Sequence, residues 1–242
     1  MSTLKSNLIE PATGTTLTLG AAGDTLTLAS DSLQTNLYKD SGGNTIFQSD
    51  GAGTLSNVNT GIIGGGPRLI STSTVTSSTT AIEITTGIDS TYDSYMFHWV
   101  EFYPVTDGAG LQFQVSTDGG TTYATNVTSS TAYLNIHYDW GESAGPAQWQ
   151  MQANGTAGQK ITQSDSNSAA RKNSAFLTLY NPSSTTFVKH FLGEMHGPQG
   201  AQGVNDFRCG GYFITSDAIN AIKFYYSSGN IAGGIMKMYG VV

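Results

Sequence analysis

Only one cysteine, Cys209, stands in 242 residues. Without a second thiol no intramolecular disulfide can form, so packing and hydrogen bonds must hold the fold, as suits a reducing compartment. A lone thiol of this kind is most often a small buried side chain. Positive charge is scarce as well: ten Lys and Arg stand against seventeen Asp and Glu, for a net charge of −7. The ten are scattered, which leaves no basic footprint for nucleic acid or an anionic membrane. Charged residues make up 11% of the chain, less than half the usual share of about a quarter. Such a Thr-, Ser- and Gly-rich surface is common on secreted or particle-bound β proteins. Long apolar runs are missing too: nothing approaches the roughly 20 residues that span a bilayer. The N-terminal stretch MSTLKSNLIEPATG lacks the apolar core of a signal peptide, so the expectation is a chain made in the cytoplasm without membrane insertion.

Helical periodicity is absent in the same way. Almost no window places apolar residues at helical spacing among good helix formers, whereas alternation with period two, bounded by Gly, Asn, Asp and Ser, recurs throughout. The chain reads as all-β, and its length suits one large β domain or a small module followed by a medium one. A near-repeat opens it: Gly14-Thr15-Thr16-Leu17-Thr18-Leu19, Gly23-Asp24-Thr25-Leu26-Thr27-Leu28, Gly43-Asn44-Thr45-Ile46-Phe47 and Gly53-Thr54-Leu55. Each unit reads as a turn and a short strand with two or three apolar residues on one face. Ordering each residue costs roughly 1 to 2 kcal/mol and two leucines return only a few, so such strands must lean on something, most plausibly on copies from neighbouring chains. The run Gly64-Gly65-Gly66-Pro67 is the hinge, where φ is free and then fixed. It divides an arm, residues 1–66, from a head, residues 67–242.

In the head, YMFHWVEFY has two largely apolar alternate sets, Tyr95/Phe97/Trp99 and Met96/Val100/Phe102, which predicts a central strand covered on both faces. LQFQVS alternates cleanly, with Leu111, Phe113 and Val115 inward. Further strands are expected at Ile82 to Thr85, near Tyr123, and in AYLNIHYDW, AQWQMQA, SAFLTLY, TFVKHFL, GYFIT, AIKFYY and GIMKMYGVV. About ten strands separated by turns predict an antiparallel β-sandwich of jelly-roll type. SSGN, Ser227 to Asn230, reads as a turn that makes the last two strands a hairpin within one sheet. GPQGAQG, Gly197 to Gly203, reads as a loop at a tip, too short for a collagen helix.

Four constellations could carry chemistry. STDGGTTY, Ser116 to Tyr123, fits the Ser-x-Asp-x-Gly-x-Thr-aromatic pattern on sialidase propeller blades, but a hairpin turn explains every residue: Ser116 and Asp118 bond the bend, and Gly119 and Gly120 supply positive φ. In HYDWGES, Asp139 and Glu142 lie beside Tyr138 and Trp140. Glycosidase carboxylates must face each other about 5 to 10 Å apart, which adjacency in sequence does not establish, so solvated strand ends are the favoured reading. His190, Glu194 and His196 share a face if their strand continues through Gly193, a weak metal spacing, and His98 reads as a core histidine. No nucleophile elbow, phosphate loop or His-Glu-x-x-His pair appears, and no metal or other cofactor is expected. Glycan stacking needs exposed flat rings, for which Tyr133, Tyr138, Trp140 and Trp149 are the candidates.

The leader MSTLKSNLIEPATGTTLTLGAAGDTLTLASD and the segments STTAIEITTGIDSTYDSYMFHW, LQFQVSTDGGTTY and FYYSSGNIAGGIMKMYGVV resemble fibre and spike proteins of tailed bacteriophages. The resemblance covers about two-thirds of the chain. It implies a non-enzymatic virion protein assembled in the host cytoplasm, a homotrimer whose N-terminal part docks on other virion proteins of the tail, baseplate or capsid. The outer β-sandwich then meets a host-surface glycan. Two rivals stay open: a decoration protein that stabilises the capsid, and a carbohydrate-binding or glycan-cleaving module.

Overall fold

The computed structural model describes residues 37–40, 42–49, 52, 55–56, 66–123, 129–139, 148–155, 158–199 and 203–242; in 129–139 and 148–155 it describes the backbone and its pairing. These residues form β-strands and no helix. The chain divides into two compact units, Met1–Ile63 and Gly64–Val242.

In the first unit, β1 (Leu37–Lys39), β2 (Thr45–Ser49) and β3 (Leu55–Ser56) form an antiparallel three-stranded sheet in that order. The unit Gly43-Asn44-Thr45-Ile46-Phe47 supplies a turn and then β2. Asp40 makes the turn by accepting the amides of Gly42 and Asn44 at 2.9 and 2.8 Å, with Gly43 at φ +84°. Tyr38 stacks on Phe47 at 4.7 Å between ring centroids. The two earlier repeat units lie outside the described residues.

The second unit contains β4 (Arg68–Val75), β5 (Ile82–Ile84), β6 (Ser94–Pro104), β7 (Leu111–Ser116), β8 (Ser129–Asp139), β9 (Gln148–Gly155), β10 (Gln159–Lys160), β11 (Asn173–Tyr180), β12 (Lys189–Gln199), β13 (Gly203–Phe213), β14 (Ala221–Tyr226) and β15 (Ile231–Val241). They build two antiparallel sheets. The narrow one runs β10-β7-β14-β5, and the wide one β4-β15-β6-β11-β12-β13-β8-β9. Alternation along each strand sends one apolar set to the space between the sheets. There Trp99 meets Phe224 edge-on at 4.8 Å, Phe97 meets Phe224 at 5.2 Å, and Phe113 meets Phe191 at 5.1 Å and Phe213 at 5.8 Å. Each pair joins a ring of one sheet to a ring of the other, so the unit is a two-layer β-sandwich. Every such ring is worth about 1.5–3 kcal/mol on burial, with a further 0.5–1.5 kcal/mol from the favoured edge-on geometry.

Three sequence expectations need correction. The two alternate sets of YMFHWVEFY do not end on two covered faces. Tyr95, Phe97 and Trp99 are buried, Met96 is half-buried and Val100 exposed, yet Phe102 is buried with the first set. The cause is a bulge: Glu101 takes φ +55°, and the register slips against Asn173/Ala175 on one side and Gly233/Ile235 on the other. An extra residue turns the strand over, and Gly234, at φ +127°, gives the Phe102 ring the space that a Cβ would take. Nor do the last two strands pair. β14 lies in the narrow sheet and β15 in the wide one, so Ser227–Asn230 crosses between layers. The amide of Ser227 donates to Gly110 and Asn230 accepts from Val105, each at 2.9 Å. The crossing lets both strands bury an apolar set in the same core. Finally, Gly197–Gln199 and Gly203 are not a loop but the facing ends of β12 and β13, paired through Gln199 and Gly203.

Candidate functional site

The wide sheet has a second face, and no described strand packs on it. Cross-strand registry arranges that face in rows. One row runs Thr72, Lys237, His98, Phe176, Glu194, Arg208, from β4 through β15, β6, β11 and β12 to β13. Beside Glu194 and Arg208, the next pair is His196 and Asp206. His98, Val100, Phe176, Glu194, His196 and Asp206 line a depression of about 330 Å³.

Toward β15 and β6 this face carries rings and Lys237, and toward β12 and β13 it carries Arg208 with two carboxylates. His98 sits 6.2 Å from the Phe176 ring and 5.3 Å from Tyr239, between centroids. Burial lowers the His98 pKa, and the neighbouring Lys237 ammonium lowers it further, so the imidazole is kept neutral. It is half-buried on the outer face and is not a core histidine. Arg208 stands 4.0 Å from Glu194 and 4.0 Å from Asp206, one guanidinium shared by two carboxylates. Both contacts are long and solvated, and each is worth little on its own.

β12 runs unbroken through Gly193, so His190, Glu194 and His196 do share a face. His190 leans instead on Tyr212, at 5.8 Å between centroids. Among the described residues no three His, Cys, Asp or Glu side chains converge as metal ligands.

At the far edge of the wide sheet, backbone pairing sets Tyr133 opposite Cys209 and Gln150, Tyr138 opposite Val204, and Trp149 opposite Leu134. Three of the four aromatic candidates thus sit on the adjacent strands β8 and β9. Trp140 and Glu142 lie outside the described residues, and Asp139 closes β8 opposite Gly203. Of the hinge, Gly66 and Pro67 are exposed just before β4, and Gly64 and Gly65 fall outside the described residues.

The Ser116 segment is a turn tied by Asp118. That carboxylate accepts from the Ser116 hydroxyl at 2.6 Å, and from the Thr122 amide at 2.9 Å and hydroxyl at 2.6 Å. These bonds hold its pKa down at about 2. Ser116 Oγ in turn accepts the amide of Gly120 at 3.0 Å, and Gly119 and Gly120 take φ +73° and +89°. Ser116, Asp118 and Thr122 thus spend their side-chain oxygens on the bend, while the Gly119 amide donates to Asn220 Oδ1 at 2.8 Å. The strands that β7 pairs with are β10 and β14, and β8 belongs to the other sheet, so the turn leads out of the narrow sheet.

No known family, curated protein or solved structure matches the chain. The site therefore stands on its own geometry. Sequence reading missed Phe176, Arg208 and Asp206 and misplaced His98. The signal was present: Met96, His98 and Val100, Phe176, and His190, Leu192, Glu194 and His196 are the alternate residues of strands whose other set is the core. It also missed a buried polar group, Asp165, Asn173, Asn205 and Tyr226, which no local pattern announces.

Proposed function

We propose that this chain is a non-enzymatic structural protein of a tailed-phage virion: a homotrimeric fibre or spike. Residues 1–66 attach it to the particle, and a jelly-roll-like head, residues 67–242, is displayed for adhesion to host-surface glycan. The observation that carries the reading is a sandwich with an eight-stranded sheet whose outer face no described strand covers. Val100, Leu192 and Val204 are more than 40% exposed there, on three strands and in three different cross-strand rows. The sequence resemblance to phage fibres and spikes supports the same assignment, and the sparsely charged, single-cysteine composition suits a particle protein. Within this reading Tyr138 and Trp149, which share the outer set of the β8–β9 edge, meet the glycan, while Tyr133 falls in the opposite set, in register with buried Cys209.

Gold-labelled antibody against the chain, applied to phage particles, tests the proposal. Label on the tail and binding of purified protein to host cells are expected. Label confined to the head would replace adhesion by capsid decoration, and absence of label from particles would overturn the virion assignment altogether.

A further inference from the structure

We infer that Asn205 on β13 and Asn173 on β11 are joined by a bound water, held inside the sandwich as a fixed part of the tie between its layers. The inference stands apart from the virion reading, because it concerns the interior of the second unit and no surface enters it.

The geometry isolates one amide. Asn205 is fully buried, and neither its Nδ2 nor its Oδ1 has a hydrogen-bond partner within the protein. The residue opposite it on β12 is Gly197, which has no side chain to offer. The neighbouring row on the same face, Trp99, Ala175, Met195 and Phe207, is apolar throughout. Asn173, itself buried, leans over Gly197 from the other side, and its Oδ1 takes the space of a Gly197 Cβ. That sets this acceptor one strand spacing, about 4.8 Å, from the place of Asn205 in the row. The two amides do not meet directly, and a gap of this size between polar groups is one that a single water spans.

The atoms choose the occupant. Asn205 Nδ2 donates and Asn173 Oδ1 accepts, so the ligand between them has to accept and donate at once. A cation would leave the Nδ2 hydrogens unpaired, and an anion would meet the Asn173 oxygen. Water satisfies both, and a buried donor left without a partner costs more than an ordinary hydrogen bond contributes. The rest of the relay is made by the protein itself. The Leu111 amide donates to Thr162 Oγ1 at 2.6 Å, the Thr162 hydroxyl donates to Asp165 Oδ2 at 2.8 Å, and Asp165 faces the Tyr226 hydroxyl and the Asn173 amide. Leu111 and Tyr226 belong to the narrow sheet, Asn173 and Asn205 to the wide one. The water carries this relay from β11 to β13, past the strand between them.

The test uses the full chain. Magnetic relaxation dispersion of the water signal counts waters held for longer than the protein tumbles, and thermal unfolding reads stability. Asn205→Leu removes the amide and keeps a side chain of similar size. The expected result is a dispersion amplitude smaller by about one water and a melting temperature lower by at least about 3 °C, because the lost water leaves Asn173 Oδ1 unpaired. A dry amide gives the reverse, since an apolar group then replaces an orphaned one. An unchanged amplitude or a raised melting temperature would therefore overturn the inference. If the variant does not fold, the wild type labelled with heavy nitrogen decides: a nuclear Overhauser effect between water and the Asn205 side-chain amide protons is expected, and its absence defeats the proposal. A wild-type melting temperature that rises with sodium or calcium at constant ionic strength, and does not rise in a folded Asn205→Leu, would put a cation at the site in place of water.

Discussion

Asn173 lies over Gly197, with its side-chain oxygen in the space that a Cβ on Gly197 would occupy. The two face each other across β11 and β12 on the core side of the wide sheet, and Asn205 is the next residue in that row. Both amides are buried; Asn205 has no hydrogen-bond partner within the protein, and Asn173 faces Asp165. Gly197→Ala is expected to push Asn173 aside and to destabilise the fold by about 1–3 kcal/mol. Urea denaturation measures it. The pair Gly197→Ala/Asn173→Ala should cost less than the sum of the single changes, since the clash is absent once Asn173 is shortened. Full additivity would show that the two do not compete for the same space.

Asp165 makes stability depend on pH. It is fully buried and accepts the Thr162 hydroxyl at 2.8 Å through Oδ2, with the Tyr226 hydroxyl and the Asn173 amide beside it. Burial raises its pKa from 3.8 to about 7, although Thr162, Tyr226 and Asn173 nearby pull the other way. A carboxyl that holds its proton more tightly when folded stabilises the protein fully below 3.8, and the contribution is lost as pH rises through about 7. The loss is of the order of 4 kcal/mol. Asp165→Asn, neutral throughout, should flatten the urea midpoint across that window. A slope unchanged by the substitution would assign the effect to another group.

Phe224 touches both Phe97 and Trp99 across the layers. Phe224→Ala should cost about 3–5 kcal/mol and lower the melting temperature, as expected for a cavity between two sheets. A loss below 1 kcal/mol, in the range of about one removed methylene, would mean that the layers do not pack through this ring.

Asp118 should titrate oppositely to Asp165. Its pKa is held at about 2 by bonds from Ser116 and Thr122, so its contribution is present above 3.8 and vanishes as pH falls through about 2. Asp118→Asn is expected to lower the melting temperature at neutral pH and to match the wild type near the acid end. A constant difference at all pH values would point to lost shape and not lost charge.

Adhesion has its own prediction. If the β8–β9 edge meets glycan, Tyr138→Ala and Trp149→Ala should each reduce binding to host cells by about 5- to 100-fold, the range of a lost ring contact worth about 1–3 kcal/mol. Asp139→Asn should leave binding intact and should not alter any release of reducing ends. Release that Asp139→Asn abolishes would make the chain a glycan-cleaving enzyme.

The sequence made some of this legible, for physical reasons. LQFQVS lies on a strand with one buried face, and its alternation maps directly onto buried Leu111, Phe113 and Val115. The Gly43 unit announced a turn because only a few residues tolerate φ +84°. What escaped was set by distant partners. Phe102 changes face through a bulge that needs Gly234 opposite it, and nothing within YMFHWVEFY reports a glycine more than a hundred residues away. SSGN is a good turn in either architecture, and the choice between a hairpin and a crossing belongs to the core that both strands must bury. The outer face was read as covered because its residues are apolar, and periodicity cannot say whether the cover is the same chain or another.

Among the described strands β4 pairs with one, and that strand is β15. A ribosome therefore releases the head with its first strand still waiting: every residue from β5 to β14 must emerge before Val75 can meet Gly234. Pairing over such a separation is slow, and the unfinished sheet meanwhile offers an open edge to whatever lies near.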